Sequence, residues 1–299
     1  MMIPDNWGEL LEPGLRKIFD QHKRDLADYT AQLYNVQSST KAQETNLGVG
    51  ALGTMDEWES TNKRVSYEDI DPGFRPTYIH RKYSKGVQVE RELVDDDQYN
   101  EIKKRVKRLS RVVYYTRQQH GLSIFNNAFN SAFKGPDGQP LCSNAHPLSP
   151  GNSATQDNLG TDPLSAPAVE AARTAMMGWK DDKGNPIDVL PDTLLVPPAL
   201  RKAALIIADS DGEPDTSDNN VNVWKGSVNV IECPFLLSST AWFLIDKTRM
   251  DDFLNWYDRR KPDFKYEEEF DTEVAKYKTV GRWSYGFDDW SWAYGNIPA

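Results

Sequence analysis

Seven basic side chains lie between Tyr99 and Arg117, a stretch that contains one acidic residue, Glu101. They are Lys103, Lys104, Arg105, Lys107, Arg108, Arg111 and Arg117. Like charges three or four positions apart on a helix repel each other, so this pattern indicates a negatively charged partner. The favoured partner is the acidic segment Tyr266–Glu273, with Glu267, Glu268 and Glu269, from the same or a neighbouring copy. A nucleic acid or an acidic protein is the alternative, and a solvated helix face is the simplest interpretation.

Two other patterns resemble cofactor or metal sites. Gly48, Gly50 and Gly53 spell G-x-G-x-x-G, but the flanking residues do not predict the strand and helix that a dinucleotide site needs. A glycine-rich joint is favoured. Cys142 and His146 have a metal-like spacing without a second pair to complete a tetrahedral site. We therefore predict no cofactor, no metal and no catalytic residue.

Aromatic residues alternate near the C-terminus and have two interpretations. They are Trp283, Tyr285, Phe287, Trp290, Trp292 and Tyr294. Such rings stack on sugars, and with Glu267, Glu268, Glu269, Asp288 and Asp289 they suggest a carbohydrate-active enzyme. However, these carboxylates are sequence neighbours, whereas glycosidases hold a pair across a cleft. The favoured interpretation is a sheet that packs against a long helix.

That long helix is the central predicted element. Apolar residues recur at steps of three and four from Tyr99 to Ala128, which predicts a helix over about 96–133. Asp95, Asp96 and Asp97 favour its beginning, and Gly135 with Pro136 favours its end. Gly121 is expected to be a tolerated cost of about 1 kcal/mol.

The flanking segments predict a mixed α and β protein. Residues 1–46 carry two short amphipathic helices with no local partner, which suggests docking on another subunit. A polar hairpin, with turns at 71–73 and 85–86, follows and is expected to project onto a neighbour. Beyond residue 181 the pattern predicts strands at 194–196, 221–224, 228–233 and 241–246 and helices at 198–208 and 249–257. Residues 263–299 are predicted to be strands.

The composition limits the remaining possibilities. With 45 Asp and Glu against 35 Lys and Arg, the net charge of −10 gives no global attraction to nucleic acid. No apolar run approaches the ~20 residues of a membrane span, and the N-terminus has no signal-peptide pattern. Two cysteines give no disulfide framework. A soluble cytoplasmic protein with no membrane partner is expected.

The order of these parts resembles the major capsid protein of tailed bacteriophages, the Hong Kong 97-type α+β fold. Five strings carry the resemblance and look similar to major head subunits of Mu-like phages. They are RELVDDDQY, LSIFNNAFNSAF, DGQPLCSNAHP, PDTLLVPPALRKAA and GFDDW.

The resemblance implies four parts. These are an N-terminal arm (1–46), an extended β-hairpin loop (47–90), a peripheral domain (91–180 with 263–299) that contains the long spine helix, and an axial domain (181–262). Inter-subunit contacts are expected at the basic and acidic residues above, Lys104, Arg108, Arg111 and Glu267–Glu269, and in the hairpin at Tyr78, His80 and Lys82.

The resemblance also implies a function and partners. Copies of the chain are expected to form pentamers and hexamers that close into an icosahedral virion head around double-stranded DNA, assembled in the bacterial host's cytoplasm. A portal and decoration proteins are implied partners. A separate scaffolding protein is expected because the sequence begins without the scaffolding segment of many relatives. Contact with the packaged DNA is expected to be non-specific. A wall that gripped DNA tightly would impede packaging, which favours the acidic segment over DNA as the partner of the basic helix residues.

Two alternatives remain beside the capsid interpretation. The same fold could form a protein compartment that holds enzyme cargo, like an encapsulin, and the carbohydrate-active enzyme is the alternative from another class. Some relatives link a loop lysine covalently to an asparagine of a neighbour. Lys63, Lys82 and Lys85 lie in the hairpin, but no pattern identifies a partner, so no crosslink is predicted.

Overall fold

The computed structural model describes residues 7–24, 26–55, 65, 67–96, 98–212, 221–269 and 274–298. Within them the chain forms two compact units. The first consists of Met1–Glu44, Tyr78–Gly121 and Trp256–Tyr285, and the second of Thr45–Thr77, Leu122–Asn255 and Gly286–Ala299.

Helices and strands are interspersed along the chain. The helices are α1 (Trp7–Arg24), α2 (Tyr29–Leu33), α3 (Glu92–Asp95), α4 (Tyr99–Asn126), α5 (Ala166–Met177), α6 (Arg201–Asp209, after a 3₁₀ turn at Pro198–Leu200) and α7 (Lys247–Phe253). The strands are β1 (Asn35–Ser38), β2 (Gln43–Thr45), β3 (Thr77–Ile79), β4 (Arg81–Glu90), β5 (His146–Pro147), β6 (Thr155–Gln156), β7 (Leu159–Gly160), β8 (Thr193–Val196), β9 (Asn229–Glu232), β10 (Trp242–Ile245), β11 (Leu254–Glu269), β12 (Val274–Phe287) and β13 (Ala293–Asn296). Two small sheets pair β2 with β3 and β5 with β6.

The first unit packs two helices on a four-stranded sheet of order β1-β11-β12-β4. Its core joins α1, α4 and the sheet, and its buried residues are Leu15, Phe19, Val89, Ile102, Val106, Leu109, Val113, Phe264, Ala275 and Tyr277. Ser110 of α4 donates a hydrogen bond to the carbonyl oxygen of Phe19 in α1, at 2.9 Å. The arm helix therefore docks on its own chain, and the prediction that it lies on another subunit is wrong for its buried face.

The segment predicted to be a projecting hairpin also joins this sheet. β4 runs through Lys85 and Gly86 without the predicted turn and pairs antiparallel with β12, from Arg81 opposite Trp283 to Glu90 opposite Val274. A ladder of ten residue pairs holds one edge of β4 on the sheet, and polar side chains on both faces do not prevent this pairing. The observed division of the chain therefore differs from the four predicted parts.

The second unit contains a five-stranded mixed sheet of order β7-β13-β10-β8-β9. β8 and β9 are parallel, whereas β10 is antiparallel to both β8 and β13. Every residue of β8 and β10 is buried, as expected for strands covered on both faces. β13 pairs with β10, and β11 continues across residue 262, where the axial domain is predicted to end. The four predicted parts stay a prediction.

Several predicted elements differ at their ends. α4 ends at Asn126 and not at about 133. The side-chain amide of Asn127 bonds to the Ser123 carbonyl oxygen, and the Ala128 amide bonds to Phe125, so local hydrogen bonds replace further helical ones. Residues 223 and 224 belong to a turn over 223–227 and not to the predicted strand 221–224. α7 ends at Phe253, and β11 begins at the next residue, Leu254.

Candidate inter-subunit surface

The basic residues of α4 lie on its solvent side. Ile102, Val106, Leu109 and Val113 face the core, and six of the seven cations are exposed. These six are Lys103, Lys104, Arg105, Lys107, Arg108 and Arg111. With 3.6 residues per turn, Lys104, Arg108, Arg111 and Tyr115 form a ridge directly opposite the buried stripe. We call these four residues the basic ridge.

The contacts within the ridge are local. Lys104 forms an ion pair with Glu101, one turn before it, at 2.6 Å. The hydrogen bond from Lys104 lowers the pKa of Glu101, and the charges of Arg108 and Arg105 contribute less. The guanidinium of Arg111 lies 5.9 Å from the ring centroid of Tyr115. Among the residues that the structure describes, Glu101 is the one carboxylate that forms an ion pair with these six cations.

Two of the predicted basic residues are held by the chain itself. Arg105 donates a hydrogen bond to the carbonyl oxygen of Gln88 at 2.8 Å. Arg117 is largely buried and pairs with Asp258 of β11 through both of its terminal nitrogens, at 2.8 and 3.3 Å. Arg117 therefore belongs to the interior of the first unit.

The acidic strand does not neutralise this surface within one chain. Glu267 pairs with Lys278 at 3.2 Å, and Glu269 pairs with Lys276 of the same neighbouring strand, β12. Glu268 accepts a hydrogen bond from the hydroxyl of Tyr266. The hypothesis that these three residues meet α4 of their own chain is wrong, because cross-strand lysines are closer partners. Residues 270–273 of that segment lie outside the described residues.

The three predicted contact residues of the hairpin have different environments. Tyr78 is buried against Tyr257, with ring centroids 5.3 Å apart. His80 is buried between the hydroxyls of Ser284 and Ser39, at 2.9 and 3.2 Å. Burial lowers the pKa of His80, with a further contribution from Arg282. Their burial argues against the predicted inter-subunit role, which stays a prediction for the exposed Lys82.

Exposed apolar side chains concentrate in the first part of the segment that is predicted to be a polar hairpin. They are Leu47, Val49, Leu52, Met55, Val65, Tyr67 and Ile70, and we call them the apolar loop residues. Met55 is 99% exposed and Tyr67 is 93% exposed. The sequence shows these large apolar residues, but over the whole segment they follow neither helical nor strand periodicity. Amphipathic patterns therefore do not identify them as a surface.

The glycine motif lies within this segment and holds two stretches of backbone together. The Gly48 amide donates to the Phe74 carbonyl oxygen at 2.9 Å, and the Gly73 amide donates to the Gly48 carbonyl oxygen at 2.8 Å. A Cβ on Gly48 would lie 2.5 Å from the Phe74 oxygen. The glycines therefore permit two stretches of the same chain to approach closely, a role distinct from pyrophosphate binding.

Cys142 and His146, the pair with metal-like spacing, have structural roles in the second unit. Cys142 is buried, and burial raises the pKa of its thiol far above the usual range. The ring of His146 is fixed by Asp137 at 2.5 Å and by Asn158 at 3.0 Å, and it stacks on Trp290. No group of three or more potential metal ligands occurs among the residues that the structure describes.

The C-terminal aromatic residues form core and not a sugar platform. Within the first unit, Trp283 and Tyr285 stack on Trp256, at centroid distances of 6.0 and 5.3 Å, and Trp283 is buried. Within the second unit, Trp290 and Trp292 are buried. Asp288 accepts hydrogen bonds from Asn46 and Asn255, and Asp289 accepts from Ser291. The favoured interpretation, a sheet that packs against a long helix, is therefore confirmed for Trp283 of β12, which contacts His120 of α4. Trp290 and Trp292 lie between β12 and β13, outside the strands.

The described helices include none that is long and apolar enough to cross a membrane.

The buried Arg117–Asp258 ion pair could not be predicted from the sequence, because 141 positions separate its members and no sequence pattern links them.

Comparisons with known proteins agree with this architecture. The procapsid of bacteriophage JBD30 contains a chain that is 17% identical, with a TM-score of 0.53, covering 97% of this chain and 76% of that one. A chain from a structure of Mycobacterium phage Adephagia is 13% identical, with a TM-score of 0.56, and the match covers 92% of this chain and 91% of that one. A chain of the capsid structure of cyanophage P-SCSP1u is 12% identical, with a TM-score of 0.56, and the match covers 91% of this chain and 88% of that one.

These structural likenesses establish the fold, which is the α+β capsid fold of the Hong Kong 97 type. No curated protein sequence matches this chain. The narrower likeness to major head subunits of Mu-like phages stays a prediction. A family model described as "Phage capsid protein" matches residues 75–296. Because that match spans most of the chain, the protein belongs to the phage capsid protein family and is a structural, major capsid protein of a tailed-phage head.

Proposed function

We propose that copies of this chain assemble through pentamers and hexamers into an icosahedral shell that encloses double-stranded DNA. The observation that carries the proposal is the set of apolar loop residues. Seven large apolar side chains within 24 positions of the sequence face solvent in one copy, and such a concentration of exposed apolar side chains supports a role in a protein interface. The arm, extended loop, peripheral and axial parts, assigned by resemblance, belong to this proposal.

The charged surfaces supply a second reason. The basic ridge combines arginine with tyrosine, the residue types that dominate interface energetics. Complementary charges between copies would set register and speed association. Glu267–Glu269 of a neighbouring copy and Lys82 are further proposed contacts.

The proposed partners follow from the same assignment. Genomic DNA is enclosed without base-specific contact, since the net charge of −10 disfavours a broad nucleic-acid surface. A scaffolding protein and a portal are proposed for assembly in the bacterial cytoplasm. A decoration protein is proposed as well, because the JBD30 capsid, which is similar in fold, is decorated with minor capsid protein trimers.

Assembly tests the proposal directly. Purified protein, with and without the phage's scaffolding protein, is sedimented through sucrose and viewed in negative stain. Closed shells are expected, and particles from infected cells should contain nuclease-protected DNA. A chain that stays monomeric at high concentration contradicts assembly, and DNA-free particles filled with one enzyme support the compartment alternative.

The apolar loop residues provide a variant test. Met55→Ser with Tyr67→Ser should reduce the shell fraction at least ten-fold without changing the unfolding midpoint, because both side chains are fully solvated in one copy. The matched control is Leu190→Ser with Leu237→Ser, which removes exposed apolar side chains from a different part of the chain. Equal shell yields for both double variants contradict a specific role of the loop.

A further inference from the structure

The first unit carries an acidic turn beside its basic ridge. Glu90, Glu92, Asp95 and Asp96 are exposed at the end of β4 and along α3, and Arg91 is the one cation among them. We call these four carboxylates the acidic turn. They precede α4 directly, so every copy presents a negative surface and a positive surface on consecutive elements.

The two surfaces do not neutralise each other within one chain. Among the described residues, the ion pairs of this region join Lys104 to Glu101 and Arg91 to Asp95, and none joins the acidic turn to the ridge. The ridge begins at Lys104, in the second turn of α4, eight positions after Asp96, and points away from the core. Its length, from Lys104 to Tyr115, is about 16 Å at 1.5 Å per residue.

The charges and dimensions of the two surfaces match. The four carboxylates lie within seven consecutive positions, a stretch that can contact a ridge of this length. Glu267 and Glu269 are weaker candidates because lysines of β12 already hold them. Within residues 90–96, four carboxylates accompany one cation, so the acidic turn carries a net negative charge.

We propose that the basic ridge of one copy binds the acidic turn of a second copy. This inference rests on the proposed function and names a contact for it. A contact between two different surfaces of identical chains repeats head to tail. It closes into a ring when the rotation between neighbouring copies divides a full turn into equal steps. It also lets a chain with a net charge of −10 associate in one register, since other juxtapositions bring like charges together.

A charge exchange tests the contact. Arg108→Glu with Arg111→Glu should lower the shell fraction at least ten-fold, and so should Glu90→Lys with Glu92→Lys. The four changes together should restore shells to within three-fold of the natural protein, because opposite charges again face each other. The combined variant also keeps the net charge of −10, so bulk charge cannot explain the rescue.

Controls separate the possible results. Lys202→Glu with Lys265→Glu makes the same charge change at exposed lysines elsewhere and should assemble normally. Circular dichroism and unfolding midpoints verify that each variant folds. Failure of the natural protein to form shells overturns the proposed function and this contact with it.

The other results bear on the contact alone. If either reversed pair assembles normally, if the folded combined variant does not recover, or if the control also fails, the contact is overturned. Normal empty shells from the arginine pair, with loss of packaged DNA, assign the ridge to nucleic acid and overturn it as well.

Discussion

Arg117 and Asp258 form a buried ion pair that joins α4 to β11. The guanidinium donates to both carboxylate oxygens, at 2.8 and 3.3 Å, with the side chains 12% and 4% exposed. The Trp256 indole donates to the same carboxylate at 2.9 Å, and the guanidinium lies 4.7 Å from the Trp256 ring centroid. These contacts satisfy both charges away from water.

We expect Arg117→Met to destabilise the subunit by about 3 kcal/mol, because it leaves a buried carboxylate without its cation. Denaturant unfolding of the unassembled subunit measures the change. Arg111→Met, on the exposed ridge, is the control and should change stability by less than about 0.5 kcal/mol. If the two variants are equally stable, the ion pair does not hold the helix to the sheet.

Gly121 gives a second test, because it lies where α2 approaches α4. A Cβ at Gly121 would lie 2.7 Å from the hydroxyl oxygen of Thr30, a fully buried residue. The Tyr34 hydroxyl also donates to the Gly121 carbonyl oxygen at 2.6 Å. We expect Gly121→Ala to destabilise by about 1–3 kcal/mol, since overpacking outweighs the gain in helix propensity.

Gly14 in α1 is the matched control for Gly121. A Cβ there meets nothing within 4 Å, so Gly14→Ala should stabilise by about 0.5–1 kcal/mol. Thr30→Ala combined with Gly121→Ala should recover part of the loss, because it removes the clashing group. Stabilisation by Gly121→Ala alone contradicts the close approach.

His120 predicts how stability depends on pH. Burial lowers its pKa below the ordinary 6.5, and its Nδ1 accepts a hydrogen bond from the Trp283 indole at 3.2 Å, which requires that nitrogen to be unprotonated. The unfolded chain therefore binds a proton more readily than the folded one. The stability from this group is full above pH 6.5 and is lost as pH falls through the lowered pKa.

Unfolding free energies at pH 7 and pH 5 test this difference. The natural protein should lose more stability over that interval than His120→Phe, which keeps a ring but cannot titrate. His80, whose pKa is also lowered, contributes equally to both proteins, so the comparison isolates His120. An equal loss in the two proteins shows that His120 titrates alike when folded and unfolded.

Covalent links between subunits are not expected. Lys82 and Lys85 are exposed strand residues, and no lysine–asparagine–acid pattern accompanies them in the sequence. Boiled mature particles should give one band near 34.0 kDa on a denaturing gel. A ladder of multiples contradicts this prediction.

The sequence by itself determined the elements whose apolar periodicity is strong. The stripe Ile102, Val106, Leu109 and Val113 is the buried face of α4, and the apolar runs of β8 and β10 are fully buried strands. Local patterns suffice for these elements because one face must leave water whatever the remainder of the chain does. The order of these elements also carried the resemblance to capsid proteins.

Only the tertiary structure decided how distant segments pair. The ten-residue ladder of β4 with β12, the docking of α1 on α4, the partner of Arg117 and the use of Gly121 each join positions far apart in the chain. The side chains of Tyr78 and His80 look like surface residues in a polar segment, yet both are buried. Tyr78 packs against Tyr257, and His80 lies between the hydroxyls of Ser39 and Ser284. Backbone hydrogen bonding sets strand pairing, and hydrogen-bond donors and acceptors are common to all residues but proline, so side-chain patterns do not identify the partner strand.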